Sequence, residues 1–575
     1  MIKAAGHIAR LALLGTLALG SAAYGADEHV DALLHGDEVF KWALPFGAFA
    51  SPAKAEAPAQ PLAGHLHLDP TALAGGFQAV LDKDGIAADP ANRVRDLPPF
   101  DFDFYEVGDA LVPMKRGIIE ADHPSFDWVL SPGRAWRSGT GTRLSIPFAL
   151  MEKNANCLHN GVVLVDIGTD GKASNALVQI GSETCAYFKY NFWASYKASW
   201  QPHPVADLAA RQAAFKAEQA ALLPVKPISA LAVEHPGLDA KLFAEANLIP
   251  PTEMSSYGVV YDGTLYAGAC TTRLGPYPHC GALTLPSYSL AKSLAAGLGL
   301  MRLEALYPGA FDAKVADYVP QCALKRWRGV TFGDLLNMTT GNYGTATPHV
   351  DEGAADYMPF FDVRTAADKT AFACTHFKHR SKPGKKWVYH TSDTYLLGVA
   401  MNAYLRARTG KPSDFYRDLV RPIWHKLNLS PLMDIMRRTE GADAQDFTGY
   451  GMVFNRDDIA RTASWLATGG VPLRGLFATP ALDAALQRAP KDRGLPAGAD
   501  TLRYKNGFWA WNARKTLGCR KDTWLPFLSG YGGISVVMLP NGAAYYYVSD
   551  SGVHAFAAPI RELSKITPIC KESHD

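Results

Sequence analysis

The sequence predicts an α+β fold for residues 226–575, an antiparallel sheet flanked by helices with an all-helical insert, preceded by a β-rich N-terminal domain. Three observations carry this prediction. Residues 256–261 and 264–267 are β-rich runs around Asp262-Gly263, a hairpin signal. Residues 534–539 and 543–548 repeat the pattern around Pro540-Asn541-Gly542. Between about 330 and 480 the pattern turns helical, so strands from both ends of the domain must close one sheet around the inserted helices.

The remaining elements follow in chain order. At 575 residues the chain exceeds one ordinary core, and length suggests about two to four domains. Residues 1–25 read as an export signal: Lys3 and Arg10 supply the positive end, residues 11–24 are apolar, and Ala23-Tyr24-Gly25 offers small residues before a cut. Residues 26–61, with an Ala/Pro-rich stretch from Ser51 to Pro61, read as a flexible leader. Residues 62–203 form the β-rich domain, with strand-like runs at 143–150, 161–167 and 186–193. No chemistry is assigned to it. His65-Leu66-His67 reads as surface histidines, because no third ligand stands at metal-site spacing. Residues 204–225 hold a connecting helix, rich in Ala, Gln, Lys and Glu from Ala206 and stopped by Pro224.

A formal net charge of +2, with 19% charged residues, leaves no electrostatic footprint for nucleic acid. Apart from the short signal, no stretch supplies the roughly 20 apolar residues of a membrane span. The eight cysteines (157, 185, 270, 280, 322, 374, 519, 570) form no Cys-x-x-Cys pair, and in an exported chain they favour disulfides between nearest neighbours.

The chemistry begins at Ser289-Leu290-Ala291-Lys292. Residues 290–303 are apolar with helical spacing, which sets Lys292 one turn beyond Ser289, within reach of its hydroxyl. A serine alcohol needs a neighbour to take its proton, and a lysine buried among leucines and alanines loses its charge near neutral pH. Ser51-Pro52-Ala53-Lys54 is a second match without helical context and reads as a decoy.

Four motifs in order resemble the serine β-lactamase and penicillin-binding-protein superfamily, particularly its class C-like esterases and 6-aminohexanoate-oligomer hydrolases. They are the Tyr288 to Ser293 motif, Val330 to Gly341, Pro383 to Gly398 around Tyr389, and Ser529-Gly530-Tyr531-Gly532-Gly533. The resemblance spans about 250–555 and implies a β-lactamase-like fold for the 226–575 domain. It also implies a serine acyl-enzyme mechanism with Ser289 as nucleophile, Lys292 as base and Tyr389 as a phenolate or hydrogen-bonded relay. The amides of Ser289 and Tyr531 would hold the oxyanion, with Thr391, Ser529, Gly530 and Gly532 near the substrate. No metal or organic cofactor is needed. A Ser-His-Asp alternative would draw on His390 and Asp393.

Departures from the pattern bear on substrate. Leu528-Ser529-Gly530 lacks the lysine of the family's Lys-Thr-Gly, and Thr391 replaces the asparagine of its Tyr-x-Asn. Both suit an uncharged small-molecule ester, with a small amide or oligoamide as alternative, and a covalent binding module as the competing class.

Overall fold

The computed structural model describes residues 28–58, 61–244 and 248–570, so the export signal at 1–25 lies outside the described residues. Two large sheets organise the chain. The first has ten strands between Ala63 and Pro202. Strand Gly141–Glu152 pairs with Gly133–Ser138 on one side and with Leu158–Ile167 on the other, and this second pairing closes the sheet into an antiparallel barrel. Closure satisfies the edge groups that an open sheet would leave unpaired. The interior is packed with large side chains, Trp128, Phe148 and Tyr190 among them, all nearly inaccessible.

Part of the predicted leader belongs to this core. Residues 28–35 are helical, and Val30, Leu34, Phe46 and Phe49 are buried, Phe46 packing edge-on against Tyr277. The low-complexity look of residues 51–61 hid these apolar anchors upstream, whose burial is worth about 1.5–3 kcal/mol each. Ser51 and Lys54 lie in an irregular stretch with Lys54 exposed.

Helix Leu208–Ala220 connects the sheets and is held to the barrel by a paired contact of Arg116 with Glu218 (2.6 and 2.8 Å). Beyond Pro224, strand Val225–Pro227 joins the edge of the second sheet, parallel to Thr264–Ala267. That sheet has nine strands and is otherwise antiparallel. Met254–Tyr261 pairs with Ala544–Ser549, so strands from the two ends of the domain lie side by side. Asp262 and Gly263 both have positive φ (46° and 70°), the conformation a tight hairpin turn requires. Tyr545, Tyr546 and Tyr547 are all fully buried, with Tyr546 in one apolar cluster and its two neighbours in the other. This period-two alternation shows that both faces of the sheet are covered. Helix Arg456–Ala467 packs on one of them.

The helical insert contains the long, largely buried helix Thr391–Thr409, ended by Gly410 at φ 65°. Four disulfides, 157–185, 270–280, 322–374 and 519–570, join nearest neighbours in sequence. Among the described residues no helix is long and apolar enough to cross a membrane.

Candidate active site

Ser289 stands in a turn directly before the helix that begins at Leu290. It is half-buried, whereas residues 283–288 and 290–301 around it are buried. Tyr288, immediately before it, has φ 40°, a left-handed backbone that a bulky residue adopts only when its surroundings enforce it. Lys292 opens a wider, π-type stretch, Lys292–Gly297, rather than regular α-helix. Such stretches occur often at functional sites.

Lys292 Nζ donates to Ser289 Oγ (2.9 Å), Thr391 Oγ1 (3.0 Å) and the Gly449 carbonyl (2.9 Å). Three acceptors match the three hydrogens of an ammonium. Burial pushes the Lys292 pKa down to about 8, against the opposing charge of Glu352. Tyr389 reaches Ser289 from the other side, its hydroxyl donating to Oγ at 2.7 Å. Burial raises the Tyr389 pKa well above its ordinary value, reinforced by the charge of Glu352, so the side chain is a neutral phenol and not a phenolate.

Thr391 joins the site through Lys292. It is buried, and its hydroxyl lies between Lys292 and Glu352. The Thr391 amide also donates to Glu352 (2.9 Å). The hydroxyl is thereby committed to the lysine, and Glu352 supplies the support behind it. Sequence reading passed over Glu352 and Gly449 because each is remote from Lys292 along the chain and belongs to no motif.

The fourth motif, residues 529–533, comes against the nucleophile turn. A Cβ on Gly530 would stand 3.0 Å from the Ser287 carbonyl and 3.1 Å from Leu290 Cδ1, so glycine is what allows strand Trp524–Gly530 to approach this closely. Tyr531 and Gly532 form the following turn, Gly532 at φ 84°, and the Tyr531 ring lies 5.6 Å from that of Tyr288. Ser529 Oγ lies 3.4 Å from His554 Nδ1. Burial lowers the pKa of His554, and that of His349 as well, so neither supplies a fixed cation here. His349 stacks against Trp509 (5.7 Å) and packs near Trp387 and Tyr389, giving the site an aromatic wall.

His390 is turned to other work. Its Nε2 meets Asp351 at 3.0 Å and its ring stacks on Phe377 at 4.1 Å. Burial alone would lower its pKa, but the hydrogen bond to Asp351 and the nearby carboxylate of Asp393, 3.7 Å from Nδ1, carry it up to about 9. A histidine protonated at neutral pH cannot act as a general base, which disfavours the Ser-His-Asp alternative.

His65 and His67 do find partners. His65 bridges Asp103 (2.7 Å) and Asp101 (2.6 Å), His67 meets Asp101 (3.1 Å), and His203 meets Asp103 (3.0 Å). His65, Asp103 and His203 lie close enough to share an ion, the third ligand coming from neighbouring strands and not from local spacing. Both His65 ring nitrogens already face carboxylates, Asp101 on one side and Asp103 on the other.

Several solved structures are similar to this chain. A putative 6-aminohexanoate-dimer hydrolase from Bacillus anthracis is 15% identical, covering 56% of this chain and 80% of its own, with a TM-score of 0.40. A penicillin-binding protein homologue from Caulobacter crescentus is 18% identical, covering 56% and 94%, with a TM-score of 0.40. EstCE1, a hydrolase with promiscuous acyltransferase activity, is 14% identical, covering 56% and 97%, with a TM-score of 0.41. No curated protein matches the chain. The family model described as Beta-lactamase matches residues 284–548, a span that includes Ser289, Lys292, Tyr389 and Tyr531. Residues 284–548, a little under half of the chain, are therefore similar to the Beta-lactamase family.

Proposed function

We propose that the protein is an exported serine hydrolase that cleaves carboxylic esters through an acyl-enzyme on Ser289. The observation that carries this reading is the convergence of Lys292 Nζ (2.9 Å) and Tyr389 OH (2.7 Å) on the Ser289 hydroxyl oxygen. When the Lys292 ammonium loses a proton, its two remaining hydrogens stay on the fixed acceptors Thr391 and Gly449, and the lone pair is left facing Ser289. Ser289 Oγ then attacks the ester carbonyl carbon while Lys292 takes its proton. The carbon–oxygen bond to the leaving group breaks, and the departing alkoxide receives a proton through the Tyr389 hydroxyl. Water attacks the acyl carbonyl next and releases the acid, restoring Ser289.

The oxyanion is assigned to the amides of Ser289 and Tyr531, each beside the point where Gly530 meets the nucleophile turn. Ser529, Gly530 and Gly532 line the substrate side. The ester assignment draws on charge: the Leu528-Ser529-Gly530 segment brings no cation, His554 beside Ser529 is neutral, and the wall is aromatic. A carboxylate-bearing substrate would find no counter-ion in these groups. Export is supported by four disulfides, which persist in oxidising compartments.

The test is a substrate panel of p-nitrophenyl butyrate, a matched anilide and a β-lactam. Released phenol should pass one equivalent and continue, with ester preferred. A single-equivalent burst that stops would assign a covalent binding module, and preferential anilide turnover would move the substrate class to amides.

A further inference from the structure

We infer that the N-terminal barrel is a working part of this active site, with Asn156 as a positioning residue for the turn that carries Ser289; this rests on Ser289 being the nucleophile. Asn156 lies in the loop between strands Gly141–Glu152 and Leu158–Ile167 and is 1% exposed. Its Oδ1 accepts from the Tyr288 amide (2.6 Å), from Ser287 Oγ (3.2 Å) and from the Gly451 amide (3.2 Å), while its Nδ2 donates to the Met452 carbonyl (3.3 Å).

All four bonds run to segments more than 130 positions away in sequence. A residue that only shaped its own loop would bond locally, as turn asparagines do. Asn156 instead ties together two segments that matter separately. On one side is Tyr288, held at φ 40° directly before the nucleophile. On the other is Gly451-Met452, two residues beyond the Gly449 carbonyl that holds Lys292. One buried amide thus joins the direct Ser287–Met452 bonds (3.0 and 3.1 Å) in holding the nucleophile turn beside the segment whose Gly449 carbonyl fixes Lys292.

The barrel reinforces the grip from two further points. The Tyr288 hydroxyl meets Cys157 Sγ (3.1 Å), and Cys157 is disulfide-bonded to Cys185. Asn160 pairs with both the amide and the carbonyl of Thr284 (3.1 Å each), at the start of the same segment. The left-handed backbone at Tyr288 costs of order 1–3 kcal/mol and persists only where contacts over-determine it. These contacts come from the barrel.

The test compares wild type, Ser289→Ala, Asn156→Ala and Asn156→Asp in the full chain, using a fluorophosphonate probe and p-nitrophenyl butyrate, with circular dichroism melts normalising to folded protein. Asn156→Asp keeps the acceptor for the Tyr288 and Gly451 amides, whereas Asn156→Ala removes it. Asn156→Ala should label and turn over about 10- to 100-fold more slowly with KM within about twofold, because a small misplacement of reacting groups costs that much. Its pH midpoint should rise toward the ordinary lysine range as the Lys292 side loosens, and Asn156→Asp should recover most of the rate. Wild-type labelling by a folded Asn156→Ala overturns the inference, as does a loss shared equally by both variants with an unmoved pH midpoint. If Asn156→Ala does not fold, Asn156→Ser, too short to span both segments, is read by the same criteria. Failure of wild type itself to label strikes the Ser289 assignment instead.

Discussion

Lys292 and Lys369 are both buried, at 2% and 0% exposure, yet they sit in regions with different purposes. Burial lowers both pKa values, to about 8 for Lys292 and about 7 for Lys369. Lys369 is thus the more easily neutralised, and on pKa alone it would be the better base. Its Nζ, however, donates to the carbonyls of Phe360 and Val363 and lies 4.3 Å from the centre of the Phe360 ring. Those carbonyls close the short helix Pro359–Asp362, so Lys369 satisfies a helix end. Lys292 has the same desolvation but a hydroxyl within 2.9 Å and two acceptors fixing its remaining hydrogens. Desolvation makes a lysine titratable near neutrality; alignment makes it a base.

The comparison breaks first at Ser289. Ser289→Ala should abolish turnover and fluorophosphonate labelling while costing only about 1 kcal/mol of stability, the worth of a helix-start hydroxyl. Retained labelling, read by gel fluorescence, would place the nucleophile elsewhere. Next, Lys292→Arg should lower kcat by about 10²- to 10⁴-fold, since a guanidinium does not deprotonate in proteins. Lys369→Met should leave kcat within about twofold. Equal losses in the two variants, measured at a temperature where both are folded, would erase the distinction drawn here.

Tyr389→Phe should reduce kcat by about a hundredfold with little change in KM, as for a proton relay acting mainly in the transition state. A KM effect with kcat intact would make Tyr389 a binding residue.

Acylation should rise with pH around a midpoint of about 8, where Lys292 becomes neutral. Because the Glu352 charge holds that pKa up, Glu352→Gln should move the midpoint down; an upward move would reverse its assigned role. The same two lysines give a stability signature. From about 7 or 8 up to the ordinary lysine value of 10.5 the unfolded chain binds more protons than the folded one, so stability rises with pH across this window. Lys369→Met should flatten part of that rise in denaturant titrations. The smallest effect belongs to Ser51→Ala, which should change neither rate nor melting temperature.

Motif order made the Ser289, Lys292 and Tyr389 neighbourhood legible, because each residue belongs to a short pattern with local spacing. The two hairpins were legible for the same reason: Asp262-Gly263 and Asn541-Gly542 are turn chemistry that acts within a few residues. The partners of Thr391 were not legible, because a side chain's contacts depend on what lies opposite, and Glu352 comes from the distant short helix Asp351–Gly353. The leader was misread because composition averaged over residues 51–61 says nothing about Phe46 and Phe49 just upstream.

By itself, then, the sequence determined the approach of Lys292 to the Ser289 hydroxyl, the two hairpins that lie side by side in the second sheet, and the nearest-neighbour disulfides, all of which depend on residue type and short separations. Tertiary structure alone decided that Thr391 and Gly449 hold the other hydrogens of Lys292, that Glu352 stands behind Thr391, and that a barrel asparagine reaches the nucleophile turn. Those outcomes rest on contacts across 39 to 157 positions of chain, and no local preference encodes which distant segment will arrive.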